Sequence, residues 1–141
     1  MMAFTILGLD HVLLRIENKE TMLDFYLNVL GCTQERQLDN LGLIQLRAGA
    51  SLIDLVPTTS PLGQNGRGVP LQQHANLDHL CLRIEPFDEA AIRAHFAQHG
   101  YDIEASAVRY GADGFGPSIY VYDPEGNTVE LKGPPLAQQA E

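Results

Sequence analysis

The sequence predicts an α+β fold made of two tandem βαβββ modules. The segment Leu-Asp-His-Val-Leu-Leu-Arg-Ile at 9–16 returns at 77–84 with six of its eight positions identical. A helical pattern follows each copy and ends at a glycine, Gly31 in the first half and Gly100 in the second. The two copies start 68 residues apart in a chain of 141 residues, so the simplest explanation is a duplicated module.

Each half has the same predicted element order. Asn18 and Asp88 are suited to cap the two helices, because their side chains can accept hydrogen bonds from the first turn. Three strand-like runs follow each helix: 33–37, 43–47 and 51–56 in the first half, and 102–105, 118–122 and 128–132 in the second. The glycine-rich stretch 109–117 is predicted to be a loop.

The predicted organisation is one domain of two modules, 7–57 and 77–133. Proline and glycine dominate the stretch between them, which predicts a connecting loop over 58–76. A loop of that length without periodicity is often a lid or a binding segment. Residues 134–141 show no periodicity and are expected to form a tail.

Composition limits the classes of partner. The formal net charge of −9 argues against nucleic acid and against docking on anionic membranes, so a small solute is the expected ligand. No run approaches the roughly 20 apolar residues of a transmembrane helix, and the N-terminus lacks a basic signal-peptide region. Cys32 and Cys81 have different contexts and are interpreted as reduced thiols of a cytoplasmic protein.

Two histidines and two acids occupy equivalent places in the modules. His11 and His79 lie on the first strand of each half, and Asp54 and Glu130 lie within apolar last strands. An acid in such a strand is costly to bury unless it is paired or bound to a cation. A single strand histidine is usually structural and a single strand acid usually faces solvent, but the repeated pattern predicts one site for a divalent ion such as Zn, Ni, Mn or Fe(II).

Strand alternation extends this prediction to neighbouring residues. Asp10 and His11 are expected on opposite faces of their strand, as are Asp78 and His79. Arg15 and Arg83 would share the histidine faces and line the rim of the metal cavity. Cys81 would be a small inward filler rather than a ligand.

At these residues the sequence resembles the vicinal oxygen chelate superfamily, which includes glyoxalase I, type I extradiol dioxygenases, fosfomycin-resistance enzymes and bleomycin-resistance proteins. The resemblance covers about residues 7–133 and rests on the segments 9–16, 25–31, 78–79 and 123–131. It implies that the two modules form an open, cupped sheet of eight strands around one metal ion. It also implies bidentate chelation of adjacent substrate oxygens by that ion.

The resemblance assigns roles to individual residues. His11, His79 and Glu130 match the family's ligands, and Asp54 stands where glyoxalase I has a fourth ligand, Glu or Gln. Three-ligand and four-ligand sites therefore both stay open. Asp54 or Glu130 would be the catalytic base. The candidate substrate-binding residues are Arg15, which matches a glutathione-binding arginine of glyoxalase I, Arg109, and Tyr120 in a stretch that resembles fosfomycin enzymes.

At two positions the sequence differs from particular members of the family, and these differences bear on which activity is expected. Thr58 replaces the asparagine that accompanies glutathione binding, and Leu13 replaces the threonine usual in fosfomycin enzymes. We expect a homodimeric metal-dependent enzyme of the glyoxalase type with isomerase or lyase chemistry. The alternatives are an extradiol-type dioxygenase, a fosfomycin-type thiol or water transferase, and a metal-free drug-binding protein, for which the acidity of the chain suits a cationic drug.

Overall fold

A computed structural model describes residues 7–64, 77 and 79–137 of the chain. The chain divides into two compact units, Met1–His74 and Ala75–Glu141, and each unit carries one four-stranded sheet. Within the described residues no helix is long and apolar enough to cross a membrane. Residues 65–76 of the predicted connecting loop and 138–141 of the predicted tail lie outside the described residues.

The first unit contains a mixed sheet with strand order β1-β4-β3-β2. β1 pairs with β4 in parallel, and the other two pairings are antiparallel. The helix after β1 continues as a segment with π-helical hydrogen bonding. The elements are β1 His11–Ile16, α1 Lys19–Leu23, the π-helical segment Asp24–Val29, β2 Thr33–Leu38, β3 Leu43–Ala48, β4 Ser51–Pro57 and α2 Pro61–Gln64.

The second unit repeats this topology. Its strand order is β5-β8-β7-β6, again with a parallel pair, β5 with β8, and two antiparallel pairs. Its elements are β5 His79–Arg83, α3 Glu89–Gln98, β6 Ala107–Gly111, β7 Gly114–Tyr122 and β8 Thr128–Lys132. The fold class predicted from the duplicated sequence, two tandem βαβββ modules, is confirmed.

Side-chain alternation gives each sheet one apolar and one polar face. In the first unit Ile53 and Leu55 of β4 are buried in the core, whereas Asp54 between them belongs to the other face. In the second unit Val129 and Leu131 of β8 flank Glu130 in the same way. The parallel pairing therefore places a histidine strand directly beside an acid strand in both units.

Both predicted helix caps are present. The Asn18 side chain accepts a hydrogen bond of 3.1 Å from the Thr21 amide, and the Asp88 side chain accepts one of 3.1 Å from the Ala91 amide. Gly31 follows the first helical segment with φ +86°, in the left-handed region where glycine is least strained. Both helices thus begin where the sequence predicts.

We expect Asn18→Ala and Asp88→Ala each to lower the free energy of unfolding by about 1 kcal/mol, because each leaves a first-turn amide without its acceptor. Urea denaturation followed by circular dichroism measures this difference. Asn40→Ala, an exposed substitution in the turn after β2, is the control and should leave the unfolding free energy unchanged. Equal stability of all three variants would contradict the capping assignment.

One strand prediction and one loop prediction in the second half were wrong. Residues 102–105 are not a strand, and the stretch 109–117, predicted to be a loop, belongs to the hairpin of β6 and β7. Only Gly114, with φ +100°, serves the turn. A Cβ on Gly111 would come within 2.9 Å of the Lys132 Cε, and one on Gly116 would come within 2.7 Å of the Pro134 carbonyl oxygen and 3.1 Å of the Lys132 Nζ. Gly111 therefore makes room for a side chain inside the sheet, and Gly116 also makes room for the backbone after β8. The sequence pattern does not distinguish this use of glycine from a loop.

The predicted loop 58–76 also begins with regular structure, since α2 covers Pro61–Gln64. A Cβ on Gly63 would lie 2.0 Å from the Pro57 carbonyl oxygen, so this turn requires a glycine.

Candidate functional site

The first unit brings one histidine and one acid together. β1 and β4 run in parallel, with His11 opposite Leu52 and Leu13 opposite Asp54. His11 and Asp54 therefore share a sheet face at neighbouring positions. The distance from His11 Nε2 to Asp54 Oδ2 is 4.0 Å, and the His11 side chain is about half exposed.

Asp54 is the most unusual group in this unit. Its residue is 2% exposed, and its Oδ2 accepts a hydrogen bond of 3.2 Å from Gln45 Nε2. Gln45 Oε1 in turn accepts a hydrogen bond from Arg36 Nε. Asp54 Oδ1 is buried and has no hydrogen-bond donor among the described residues. A buried carboxylate oxygen without a donor is destabilising, and a bound cation would relieve that cost.

Asp10 orients the His11 ring. Its Oδ1 lies 2.7 Å from His11 Nδ1, which leaves Nε2 directed at Asp54. This contact departs from the expectation that Asp10 and His11 point to opposite faces; Asp10 lies just before β1, which begins at His11. The equivalent expectation for Asp78 lies outside the described residues. A carboxylate on the far ring nitrogen is the arrangement that fixes the tautomer of metal-binding histidines.

The hydrogen bond that the His11 ring donates to Asp10 and the charge of Asp54 raise the pKa of His11 above its ordinary value. We expect Asp10→Asn to lower this pKa, since it removes the larger of the two causes. The raised pKa favours the folded state below the ordinary pKa of histidine, about 6.5, and this contribution disappears as pH rises through the folded-state value. Titration of the His11 ring by NMR in metal-free protein measures the change. An identical pKa in both proteins would contradict the assigned contact.

In the second unit the equivalent histidine and carboxylate lie closer together. His79 Nε2 lies 3.2 Å from Glu130 Oε1, and the Glu130 side chain is only 8% exposed. Cys81 and Tyr120 lie opposite Glu130 on the two flanking strands, so all three share its sheet face. The Tyr120 ring meets the His79 ring edge-on, with 5.6 Å between centroids.

Cys81 lies two residues from His79. Burial of the thiol, reinforced by the charge of Glu130, raises its pKa to about 11. The thiol is therefore protonated at neutral pH in the metal-free protein. Cys81 as a whole residue is exposed, so it does not fill space in the interior as the sequence analysis predicted.

Two of the three predicted substrate-binding residues lie beside this second pair. Arg109 places its guanidinium carbon 4.3 Å from the centre of the Tyr120 ring, within the range of a cation–π contact. Its Nη1 also donates to the Ser118 carbonyl oxygen at 3.0 Å and to Ser118 Oγ at 2.6 Å. Arg109 and Tyr120 therefore form one assembly on the face that carries His79 and Glu130.

Arg15 and Arg83, the two arginines predicted to line the rim of the metal cavity, both make contacts within the protein. Arg15 Nε donates to the Gly63 carbonyl oxygen at 3.3 Å, which ties β1 to α2. Arg83 contacts the carboxylates of Asp113 at 3.0 Å and Glu85 at 3.2 Å. The charge of Arg83 is therefore balanced locally, which makes it a structural tether to the β6–β7 turn.

Each unit thus assembles one histidine–carboxylate pair from the predicted ligand set. Across the described ranges no group of three or more His, Cys, Asp or Glu side chains has an arrangement suited to hold a metal. Sequence reasoning did not identify Gln45, which binds Asp54, or Lys132, which lies on the same face as Glu130. Both follow an alternation signal, since Gln45 pairs with Asp54 across the sheet and Lys132 is two residues from Glu130.

Comparison with known proteins agrees with this architecture. Residues 8–131 match the model of the Glyoxalase/Bleomycin resistance protein/Dioxygenase superfamily. No curated protein matches the chain. A virulence protein from Salmonella typhimurium is similar at 27% identity and a TM-score of 0.76, covering 93% of this chain and 99% of its own.

Two further structures share the fold. An integron cassette protein from the mobile metagenome of V. cholerae is 26% identical with a TM-score of 0.76, covering 94% of this chain and 98% of its own. A lactoylglutathione lyase from Agrobacterium tumefaciens has 18% identity and a TM-score of 0.60 over 91% of this chain and 94% of its own. With the family model matching most of its length, the chain belongs to the Glyoxalase/Bleomycin resistance protein/Dioxygenase superfamily.

Proposed function

We propose that the protein is a divalent-metal-dependent enzyme of the glyoxalase-like type, acting on a small substrate with two adjacent oxygens by isomerase or lyase chemistry. The observation that carries the proposal is Asp54, a buried carboxylate whose Oδ1 has no donor among the described residues and whose Oδ2 faces a histidine. Membership of the superfamily and the equivalent pair His79–Glu130 support it.

The proposed ligands are His11, Asp54, His79 and Glu130, one pair from each unit. Imidazole nitrogen with carboxylate oxygen is a donor set that suits Zn, Ni, Mn or Fe(II). The orientation of His11 by Asp10 and the donor-free Asp54 Oδ1 fit such an ion. When bound, the ion would act as a Lewis acid on the substrate oxygens.

The remaining residues bind substrate and move protons. Glu130 or Asp54 would take up the substrate proton, since each carboxylate lies beside a histidine of the proposed ligand set. Arg109 would hold an anionic group of the substrate with the guanidinium nitrogens other than Nη1, and the contact with the Tyr120 ring positions the guanidinium. Arg15 would be a further substrate-binding residue if it released the Gly63 carbonyl oxygen.

The test is turnover by chelator-treated protein reloaded with each ion in turn. Isomerisation of a hemithioacetal that appears only after reloading is the expected result. Oxygen uptake with a catechol under Fe(II) would instead favour the extradiol-type dioxygenase, and opening of an epoxide by thiol or water would favour the fosfomycin-type transferase. No metal-dependent turnover of any of these substrates would overturn the proposed class.

A metal-free drug-binding protein is the second candidate, favoured by the net charge of −9, which suits a cationic ligand. Tight binding of a cationic drug that a chelator does not change would support it against the enzyme. We further propose that the protein is cytoplasmic and forms a homodimer. Sedimentation equilibrium of the purified protein would test whether it is a dimer.

A further inference from the structure

A row of three polar side chains crosses the first sheet and ends at Asp54. Arg36 on β2 pairs with Gln45 on β3, and Gln45 pairs with Asp54 on β4. Arg36 Nε donates to Gln45 Oε1, and Gln45 Nε2 donates to Asp54 Oδ2 at 3.2 Å. Arg36 is exposed, Gln45 is half-buried and Asp54 is buried, so the row runs from solvent to a proposed metal ligand.

Arg36 determines which end of the Gln45 amide faces Asp54. A guanidinium has hydrogen-bond donors but no acceptor, so it can hold only the oxygen of that amide. The NH2 group is then directed at the Asp54 carboxylate, which only accepts. With the amide reversed, its oxygen would face the carboxylate and repel it. Arg36 therefore sets the orientation in which Gln45 stabilises Asp54.

The backbone of β2 is irregular where it supplies Arg36. The pairing with β3 shifts by one residue between Gln34 and Arg36, so Glu35 is an extra residue in this strand. In a regular ladder Glu35 would lie opposite Gln45, and its carboxylate would hold the amide NH2 instead of the amide oxygen. Glu35 instead lies with its Oε2 3.2 Å from Arg47 Nη2. Bulges of this kind often direct a side chain towards a functional site.

The second unit has a different residue at the position equivalent to Gln45. Tyr120 pairs with Glu130 across β7 and β8, as Gln45 pairs with Asp54 across β3 and β4. The Tyr120 ring lies edge-on to the His79 ring. Among the described residues the row that ends at Asp54 is therefore particular to the first unit, and the shared topology does not account for it.

We infer that Gln45 and Arg36 are positioning residues, which hold the Asp54 carboxylate in the orientation in which it binds the divalent ion. The oxygen that Gln45 holds, Oδ2, is also the one that lies 4.0 Å from His11 Nε2. A carboxylate that is already oriented need not be ordered when the ion binds, and outer partners of this kind change metal affinity by about 10- to 100-fold. The inference rests on the proposed function, because it takes Asp54 as a ligand.

Titration of chelator-treated protein with Co²⁺ tests both roles, followed by calorimetry and by the visible absorption of the bound ion. Gln45→Met keeps the length of the side chain but removes the donor, and should weaken Co²⁺ binding about tenfold or more. Arg36→Met should weaken it less, because the amide can still donate in one of its two orientations. Arg36→Lys restores a donor and should bind Co²⁺ as the wild type does. Gln34→Met, at an exposed glutamine of β2, is the matched control and should leave the affinity unchanged.

A variant that combines Arg36→Met with Gln45→Met separates positioning from a direct effect of the arginine charge. Because Arg36 acts through Gln45, the combined variant should bind Co²⁺ no more weakly than Gln45→Met alone, whereas independent effects would add. Additive losses would overturn the role of Arg36. Since Arg36 is exposed, wild-type affinity in Arg36→Met would overturn that role even if Gln45→Met failed to fold.

The absorption of bound Co²⁺ distinguishes positioning from a purely structural role of Gln45. The Co²⁺-saturated Gln45→Met protein should have a visible spectrum that differs from that of the wild type, which a loss of stability alone would not produce. Wild-type affinity and spectrum in Gln45→Met would overturn the inference and leave the proposed function intact. A wild-type protein that binds no Co²⁺ would overturn both.

Discussion

We expect His79→Ala to lower the affinity for the divalent ion by more than about 100-fold, because even outer partners of metal ligands change affinity by about 10- to 100-fold. His79 Nε2 lies 3.2 Å from Glu130 Oε1, so the substitution removes one donor and leaves the neighbouring carboxylate without its partner. Isothermal titration of chelator-treated protein with Zn²⁺ or Ni²⁺ measures the loss.

His95→Ala is the matched control for this substitution. His95 lies on α3 in the same unit, is exposed and belongs to no proposed site. It should therefore bind the ion as the wild-type protein does. Equal metal affinity in His79→Ala and the wild type would remove His79 from the ligand set and, with it, the symmetry on which that set is based.

Asp54→Asn is expected to have opposite effects on stability and on metal binding. It should raise the free energy of unfolding of the metal-free protein by about 1 kcal/mol or more, because it replaces a buried charge with a neutral group of the same shape. The amide oxygen can still accept the hydrogen bond from Gln45. The same variant should bind the divalent ion more weakly, since a neutral oxygen is a poorer ligand than a carboxylate. Denaturation of chelator-treated protein and metal titration give the two values.

Asp123→Asn supplies the comparison for Asp54→Asn. Asp123 is also buried, but its Oδ1 accepts hydrogen bonds from the Glu125 and Asn127 amides, and its Oδ2 accepts one from Asn127 Nδ2. The same substitution there removes charge from fully used acceptors and should lower stability by about 1–3 kcal/mol. Should Asp54→Asn destabilise the metal-free protein as much as Asp123→Asn does, Asp54 would be a structural residue.

The duplicated sequence predicts most of the fold because its signals are local. The caps at Asn18 and Asp88 and the apolar strands around Asp54 and Glu130 depend on neighbours within a few residues. The sequence did not predict the β6–β7 hairpin, because its glycines leave space for the side chain of Lys132, a residue distant in sequence. Glycine frequency alone cannot separate a loop from a strand that makes room for a side chain.

The candidate site shows the same division. Histidine and acid positions follow from the duplication, and pairing of β1 with β4 and of β5 with β8 brings each histidine to its acid. The contacts of Asp10 and Gln45 depend on where β1 begins and on the register of β3 with β4. Neither is specified by the local pattern, so the ring orientation of His11 and the donor-free oxygen of Asp54 emerge only in the folded chain.

The proposed function requires the chain to hold a divalent ion through its two histidine–carboxylate pairs. Metal analysis of chelator-treated protein after reloading and exhaustive dialysis tests this requirement most directly. We expect one ion per chain in the wild type and almost none in a variant that combines His11→Ala with His79→Ala. A wild-type protein that retains no ion, or a double variant that retains as much as the wild type, would contradict it.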